Sequence, residues 1–200
     1  MSVNLPHKIA GQVIPEKDGV YSITFTCARW LPLFKLSDSY DAVYKWFDYL
    51  KLNGHYIIGY IIMPNHVHAV IAFNNADKSI NSIMGNGKRF IAYAIVDKLK
   101  AQQQHSILAQ LQSMVNNTQK KANKKHEIFE PSFDWKECRT FSFIQQKLDY
   151  IHMNACKGEH PLTEAPEKYM HSSAKFYITG EQGLYHVTNF MELIDKSLTG

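Results

Sequence analysis

The sequence predicts an α+β domain, an antiparallel sheet of the ferredoxin-like (split βαβ) type with helices packed on it. Three strand-like segments rich in β-branched and aromatic residues lie at Val20–Arg29, Tyr56–Ile62 and Ala69–Phe73. Segments with helical spacing of apolar residues follow the first strand and the pair of strands. A further strand after the second helix completes the order of that fold.

Length and composition indicate a globular protein and argue against membrane-spanning and secreted ones. The chain has 200 residues, 45% hydrophobic and 12% aromatic, which fits one globular domain, either alone or with appendages. No apolar run reaches about 18 residues and the N-terminal segment has no apolar core, so we expect neither a membrane span nor a secretory signal. Three cysteines far apart favour free thiols in the cytoplasm. A net charge of +4 leans slightly towards polyanions.

The first elements follow from local signals. Residues 1–19 predict an irregular lead-in, and Val20–Arg29 alternates as a strand does. Trp30–Leu36 predicts a loop. A helix capped by Ser37 or Asp38 is expected to end near residues 53–54, with an aromatic stripe that belongs to the core.

The next segment predicts a β-hairpin and a second helix. Pro64-Asn65 is a turn signal, and His66 and His68 open the second strand of the hairpin. After a turn at 76–78, Ser79 can cap a helix that runs to about Lys100. Its predicted inward face is Ile80, Ile83, Gly87, Ile91, Ala94 and Ile95. Gly85 and Gly87 within it indicate a kink or a close approach of backbone to another group.

The middle of the chain is polar. Residues 102–125 are rich in Gln, Asn and Lys, which predicts either an extension of the helix or a mobile linker. Residues 127–138 contain four apolar positions and predict a further strand.

A helix over Thr140–Lys157 has a narrow apolar stripe, formed by Phe141, Ile144, Leu148, Ile151 and Ala155. Ser142 and Gln145 have capping-box spacing, and Gly158 supplies a stop.

Tyr150 lies roughly 130° from the centre of that stripe at about 100° per residue, with Asn154 at i+4 and Lys147 at i−3. A catalytic tyrosine and an amphipathic surface tyrosine both fit this geometry.

The chain therefore divides into three parts: the lead-in 1–19, a domain over 20–158 with a polar basic insertion at about 102–125, and a tail over 159–200. The tail contains two prolines, and a short helix is expected near residues 187–198.

His66 and His68 are two residues apart on a predicted strand, so both side chains point to one face. The two imidazoles could share a metal ion, or they could be surface or hydrogen-bonded core residues.

Basic residues form two groups. Lys88 and Arg89 lie on the second helix, and Lys120, Lys121, Lys124 and Lys125 end the polar stretch. Either group could contact nucleic-acid phosphates or could be a solvated surface.

Four sequence blocks carry a family resemblance: Tyr60–His68, Ser132–Asp134, Tyr150–Asn154 and Pro166–Tyr177. In this order and over roughly residues 20–177, the chain resembles the single-tyrosine HUH transposases, and most closely their REP-associated tyrosine transposase branch. One departure is Asn154-Ala155-Cys156, where the family usually has Asn-Pro-Val, and a second is the long stretch 102–125.

The resemblance implies a metal-dependent nickase and strand transferase for single-stranded DNA next to a palindromic hairpin. His66 and His68, with Asn154 as third ligand, would hold Mg²⁺ or Mn²⁺. Tyr150 would be the nucleophile, forming a 5′-phosphotyrosine, and a phenol with an ordinary pKa near 10 needs help to lose its proton. Helix geometry suggests Lys147 for that help.

Relatives act as homodimers or as monomers, so both states stay open, and a DNA substrate implies a nucleoid-associated protein. Two other functions are also open: a silent regulator that binds DNA or RNA hairpins, and a hydrolase of small phosphoesters.

Overall fold

The computed structural model describes residues 18–74, 78–121 and 123–193. Four antiparallel strands form one sheet in the order β2-β3-β1-β4. The strands are β1 (Gly19–Thr26), β2 (Tyr56–Ile62), β3 (His66–Phe73) and β4 (Asp134–Glu137). The order and the intervening helices confirm the predicted α+β fold. The lead-in lies outside the described residues except for 18 and 19, as does most of the turn expected at 76–78.

Seven α-helices are present in the described part of the chain. They are α1 (Leu33–Ser37), α2 (Tyr40–Leu52), α3 (Ile80–Ala101), α4 (His105–Ser113), α5 (Asn117–Lys121), α6 (Phe141–His152) and α7 (Ala174–Thr179). The predicted bounds of α2 and α3 hold within about three residues. Ser79 caps α3 as expected, since its side chain accepts the N–H of Ser82.

The two faces of the sheet bury different helices. On one face, Tyr21, Ile23 and Phe25 of β1 pack with α2 and α3 in the larger core. On the other face, residues of β2 and β3 pack with Ile144, Leu148 and Ile151 of α6. This arrangement agrees with the sequence pattern for α6, except that Phe141 is 50% exposed. The molecule is thus a sheet between two helical layers.

Two glycines allow neighbouring elements to pack closely, one within a helical layer and one between the sheet and α6. A Cβ on Gly87 of α3 would collide with the indole of Trp46 on α2, which confirms the predicted close approach at that residue. Gly85 has no neighbouring atom within 4 Å of such a Cβ. A Cβ on Gly59 of β2, at an irregularity in the β2–β3 register, would collide with Leu148 of α6. The α2–α3 contact and the contact of α6 with the sheet are therefore each made at a position that has no side chain.

Several local predictions were wrong. Trp30–Leu36 is not all loop, since α1 begins at Leu33. Residues 102–125 are neither an extension of α3 nor a linker, because the chain turns at Gln103, with φ of 56°, and continues as α4 and α5. Thr140, and not Ser142, caps α6 by accepting the N–H of Phe143. The α-helix ends at His152, and residues 153–156 form a 3-10 turn.

Part of the segment predicted as a tail pairs with the sheet. The backbone of residues 171–173 pairs with β2, through Ile62 N–H to His171 O at 2.8 Å and Ser173 N–H to Tyr60 O at 3.0 Å. Ser172 and Ser173 are buried. Residues 187–189 are not helical, and residues 194–198 of the helix expected there lie outside the described part. The C-terminal segment therefore covers the outer edge of β2.

Candidate active site

The turn after β2 places His66 and His68 at the start of β3. Met63 N–H donates to the His66 carbonyl at 2.8 Å, and Cys27 N–H donates to the Asn65 carbonyl at 2.8 Å, which ties the turn to β1. Because side chains alternate along a strand, both imidazoles lie on the α6 face of the sheet. Their ring centroids are 4.7 Å apart. The predicted pairing of the two rings is therefore present.

Burial makes both imidazoles neutral near pH 7. It lowers the pKa of His66 to about 4 and that of His68 to about 3. The His66 imidazole and the ammonium groups of Lys147 and Lys157 lower the pKa of His68 further. A neutral imidazole keeps one ring nitrogen with a free lone pair, which a metal ligand requires.

Each imidazole has one ring nitrogen in a hydrogen bond. Nδ1 of His66 is 2.7 Å from Oδ1 of Asn65, and Nδ1 of His68 is 2.6 Å from Oγ1 of Thr24 on β1. Oδ1 of Asn65 can only accept, so Nδ1 of His66 carries the proton and Nε2 has the lone pair. Such partners fix the orientation of metal-binding histidines. Thr24 was not found from the sequence, because its pairing with His68 depends on the register between β1 and β3.

Tyr150 lies on α6, opposite the imidazole pair. The centroids of the Tyr150 and His68 rings are 6.0 Å apart, and the Tyr150 side chain is 53% exposed. Its ring is presented to the cleft and not to the core. One chain therefore brings the predicted nucleophile next to the predicted ligands.

Asn154 follows Tyr150 by one turn. Its Nδ2 donates to the carbonyls of Tyr150 at 2.9 Å and Ile151 at 3.1 Å, which satisfies two carbonyls at the end of α6. Its Oδ1 is then the atom that could bind a cation. Asn154 lines the same cleft as His66 and His68.

Two lysines lie near the Tyr150 ring. The ammonium of Lys147 is 6.0 Å from its centroid, and that of Lys157 is 4.7 Å from it. Lys147 is predicted from the sequence, and Lys157 is not. The helix expected over Thr140–Lys157 would have placed Lys157 on the side of Tyr150 two turns later, but the α-helix ends at His152, and Lys157 reaches the ring from beyond the 3-10 turn.

An open cleft of about 2180 Å³ contains this site and continues along β1 and β4 towards α3. Its walls include Arg89, Lys124, Lys125 and the exposed aromatic side chains of Trp30 and Tyr93. A cleft of this volume has room for part of a polymeric substrate beside the imidazole pair.

The predicted basic residues occupy different environments. Lys88 donates to the carbonyls of Glu130 at 2.7 Å and Ser132 at 3.0 Å, and burial lowers its pKa to about 8. It therefore holds the loop before β4 and is not a free cation in the cleft. Arg89 is exposed and donates to Asn86 at 2.9 Å.

The second basic group surrounds a small depression near α5. Lys120, Lys124 and Lys125 line it together, and Lys124 pairs with Glu127. The side chain of Lys121 lies outside the described part of the structure.

The donor set fits a divalent cation with an open coordination shell. Among residues 18–74, 78–121 and 123–193, no group of three or more His, Cys, Asp and Glu could hold a metal. Within those ranges, a third protein ligand would be of another type, and the amide oxygen of Asn154 is suitable. Two neutral imidazoles and one amide leave positions for water and phosphate oxygens.

None of the described helices is long and apolar enough to cross a membrane.

Comparison with known proteins gives a match by structure and none by sequence. No family model matches the sequence, and no curated protein matches it significantly. The structure is similar to that of a REP-associated tyrosine transposase bound to a REP hairpin, with a TM-score of 0.54 and 17% identity over 95% of each chain. A protein described as a putative transposase from Deinococcus radiodurans R1 has a TM-score of 0.40 and 15% identity over 72% of this chain and 95% of that one. This TM-score is too low to support an inference. The predicted resemblance is therefore confirmed at the level of architecture: this chain has the fold of a REP-associated tyrosine transposase.

Proposed function

We propose that this protein is a metal-dependent nickase and strand transferase for single-stranded DNA, acting at sites flanked by a hairpin. The observation that carries the proposal is the 6.0 Å separation between the rings of Tyr150 and His68 within one chain, on the face where His66 and His68 adjoin. A nucleophile next to a pair of neutral imidazoles, which can hold a metal ion beside a phosphate, is an arrangement suited to phosphodiester transfer.

In the proposed reaction, the phenolic oxygen of Tyr150 attacks phosphorus and gives up its proton to solvent water. The new bond joins that oxygen to phosphorus, and the bond from phosphorus to the 3′ oxygen breaks, so the 3′ oxygen leaves and takes up a proton. The products are a 5′-phosphotyrosine and a free 3′-OH. Because a phosphoester bond is conserved, a 3′-OH can reverse the attack and join strands without ATP.

The residues around Tyr150 have separate roles in this reaction. His66, His68 and Asn154 would hold Mg²⁺ or Mn²⁺, which when bound supplies positive charge beside the phosphate oxygens. The ammonium groups of Lys147 and Lys157, which lie 6.0 and 4.7 Å from the centroid of the Tyr150 ring, would attract the phosphate and stabilise the negative charge on it during the attack. Thr24 and Asn65 keep the imidazoles in the orientation that binding needs.

The substrate class rests on the cleft and on the structural relative. The relative was solved bound to a REP hairpin, which supports a DNA hairpin as the partner here. Arg89, Lys124 and Lys125 in the cleft wall could bind phosphates along a single strand. A protein acting on DNA of this kind would be found at the nucleoid.

The oligomeric state in the proposal is a monomer or a homodimer with one complete site per chain. Tyr150 reaches the imidazole pair of its own chain, so no tyrosine from a partner is needed.

The test is to incubate the protein with a labelled, hairpin-bearing single strand and Mn²⁺ and to look for a covalent protein–DNA band in a denaturing gel. We expect the band with the wild-type chain, its loss in EDTA, and its loss with Tyr150→Phe, because phenylalanine lacks the attacking oxygen. Tyr49→Phe is the matched control, since Tyr49 is also about half exposed but lies outside the cleft.

A band that persists with Tyr150→Phe would exclude this nucleophile. Tight binding in EDTA with no band under any divalent metal would favour a regulator that binds hairpins. Turnover without a band would favour a hydrolase.

A further inference from the structure

Trp30 is the most exposed tryptophan in the described chain, and it stands at the active site. Its side chain is 63% exposed, whereas Trp46 is buried and Trp135 is half-buried. The rings of Trp30 and His66 make an edge-to-face contact, with centroids 5.6 Å apart and ring planes at 70° to each other. Trp30 lines the same cleft as Tyr150. A large apolar ring left open to water beside reactive groups needs an explanation.

The backbone at this position is strained. Arg29 and Trp30 both have positive φ, of 50° and 59°, a region that bulky side chains rarely occupy. Strain of this kind persists where surrounding contacts enforce it and is concentrated at ligand sites.

Contacts from three sides enforce the conformation. Arg29 N–H donates to the carboxylate of Glu130 at 2.9 Å, and Trp30 N–H donates to the Cys27 carbonyl at 3.0 Å. The Trp30 carbonyl accepts from Nδ2 of Asn65 at 3.4 Å. Asn65 also holds His66, so the indole and the imidazole are positioned by one residue.

We propose that the indole of Trp30 is the platform on which a nucleobase next to the scissile phosphate stacks. This inference rests on the proposed function and specifies how that site holds its substrate. An indole face accepts any base, because every base has a π surface. Contact with a neighbouring base would hold the strand so that its phosphate lies over the imidazole pair. A role limited to packing against His66 would not require an indole that is mostly exposed.

The experiment measures binding in EDTA, where cleavage does not interfere. The probe is a single strand with a hairpin and randomised flanking nucleotides, labelled for anisotropy and unlabelled for tryptophan emission. Trp30→Ala is expected to weaken binding about 5- to 150-fold, the range for loss of one stacked base. Trp30→Phe keeps an aromatic face and is expected to bind within about threefold of wild type. Tyr49→Ala removes an exposed aromatic outside the cleft and should leave binding unchanged.

Tryptophan emission gives an independent readout. Stacking should quench the emission of the wild-type chain on saturation with DNA, and most of that quenching should vanish in Trp30→Phe although binding remains. Circular dichroism confirms that each variant is folded.

The inference would be overturned if Trp30→Ala bound DNA with the affinity of the wild type, or if the emission of the wild-type chain were not quenched at saturation. It would also be overturned if the wild type showed no saturable binding. A covalent band with Mn²⁺ in the first two cases would show that the proposed function stands without this platform.

Discussion

Thr24 and Asn65 show how much of the site depends on residues that do no chemistry themselves. Each lies within hydrogen-bond distance of Nδ1 of one imidazole, which leaves Nε2 as the candidate metal-binding atom of each ring that lines the cleft. From the sequence, His66, His68 and Tyr150 could be singled out because spacing on a strand or helix is local. Thr24 could not, because its role depends on which residue of β1 lies opposite His68.

Replacing the Thr24 hydroxyl should weaken metal binding. Thr24→Val keeps the shape of the side chain but leaves Nδ1 of His68 without its partner, so the imidazole can rotate or change tautomer. We expect Mn²⁺ affinity, measured by calorimetric titration, to fall by about 10- to 100-fold. Ser22→Ala, on the same strand and the same face, is the control. Equal Mn²⁺ affinity in Thr24→Val and wild type would show that His68 does not need this hydrogen bond.

At the scale of elements, those marked by local sequence patterns were predicted correctly, and features that depend on residues far apart in the sequence were missed. The β2–β3 hairpin, α2 and α3 were predicted nearly to their ends, because apolar periodicity and capping residues act over a few positions. The break at Gln103 has no proline or glycine to mark it. The pairing of residues 171–173 with β2 joins positions more than 100 residues apart, and no local pattern reports such a contact.

Two glycines of α3 should respond oppositely to the same substitution. Gly85→Ala adds a methyl group in open space and should raise the free energy of unfolding by about 1 kcal/mol, since alanine favours a helix. Gly87→Ala drives that methyl group into the Trp46 indole and should lower it by about 1–3 kcal/mol. Urea denaturation measures both, and each variant is the control for the other. Stabilisation by both substitutions would mean that α2 and α3 can separate at little cost.

At the scale of the whole molecule, the fold keeps several histidines neutral. Burial lowers the pKa of His55, His66, His68, His152 and His171. A histidine in the unfolded chain has a pKa near 6.5, whereas in the folded protein these histidines take up a proton only at lower pH. The contribution of these neutral histidines to the free energy of unfolding is therefore fully present above pH 6.5, and it is lost as the pH falls towards their pKa values in the folded protein.

His152 allows this effect to be isolated. Its pKa is lowered to about 4, and its Nε2 is 2.8 Å from Oγ of Ser173, which binds the C-terminal segment to α6. At most, about 3 kcal/mol of stability should disappear between pH 7 and pH 4 through this residue. His152→Gln can keep a hydrogen bond but cannot titrate, so its free energy of unfolding in EDTA should depend less steeply on pH than that of wild type. Parallel pH profiles for the two proteins would exclude His152 as a source of the acid sensitivity.

Gly59 has a consequence for the chemistry even though it touches no substrate. Leu148 of α6 rests where a side chain at position 59 would be, and Tyr150 is two residues further along the same helix. The absence of a side chain at Gly59 therefore sets how closely α6, and with it the Tyr150 phenol, approaches the sheet that carries the imidazoles. A larger residue at position 59 would push α6 outward and lengthen the distance between the Tyr150 hydroxyl and the imidazoles, although none of the reacting residues would itself have been substituted.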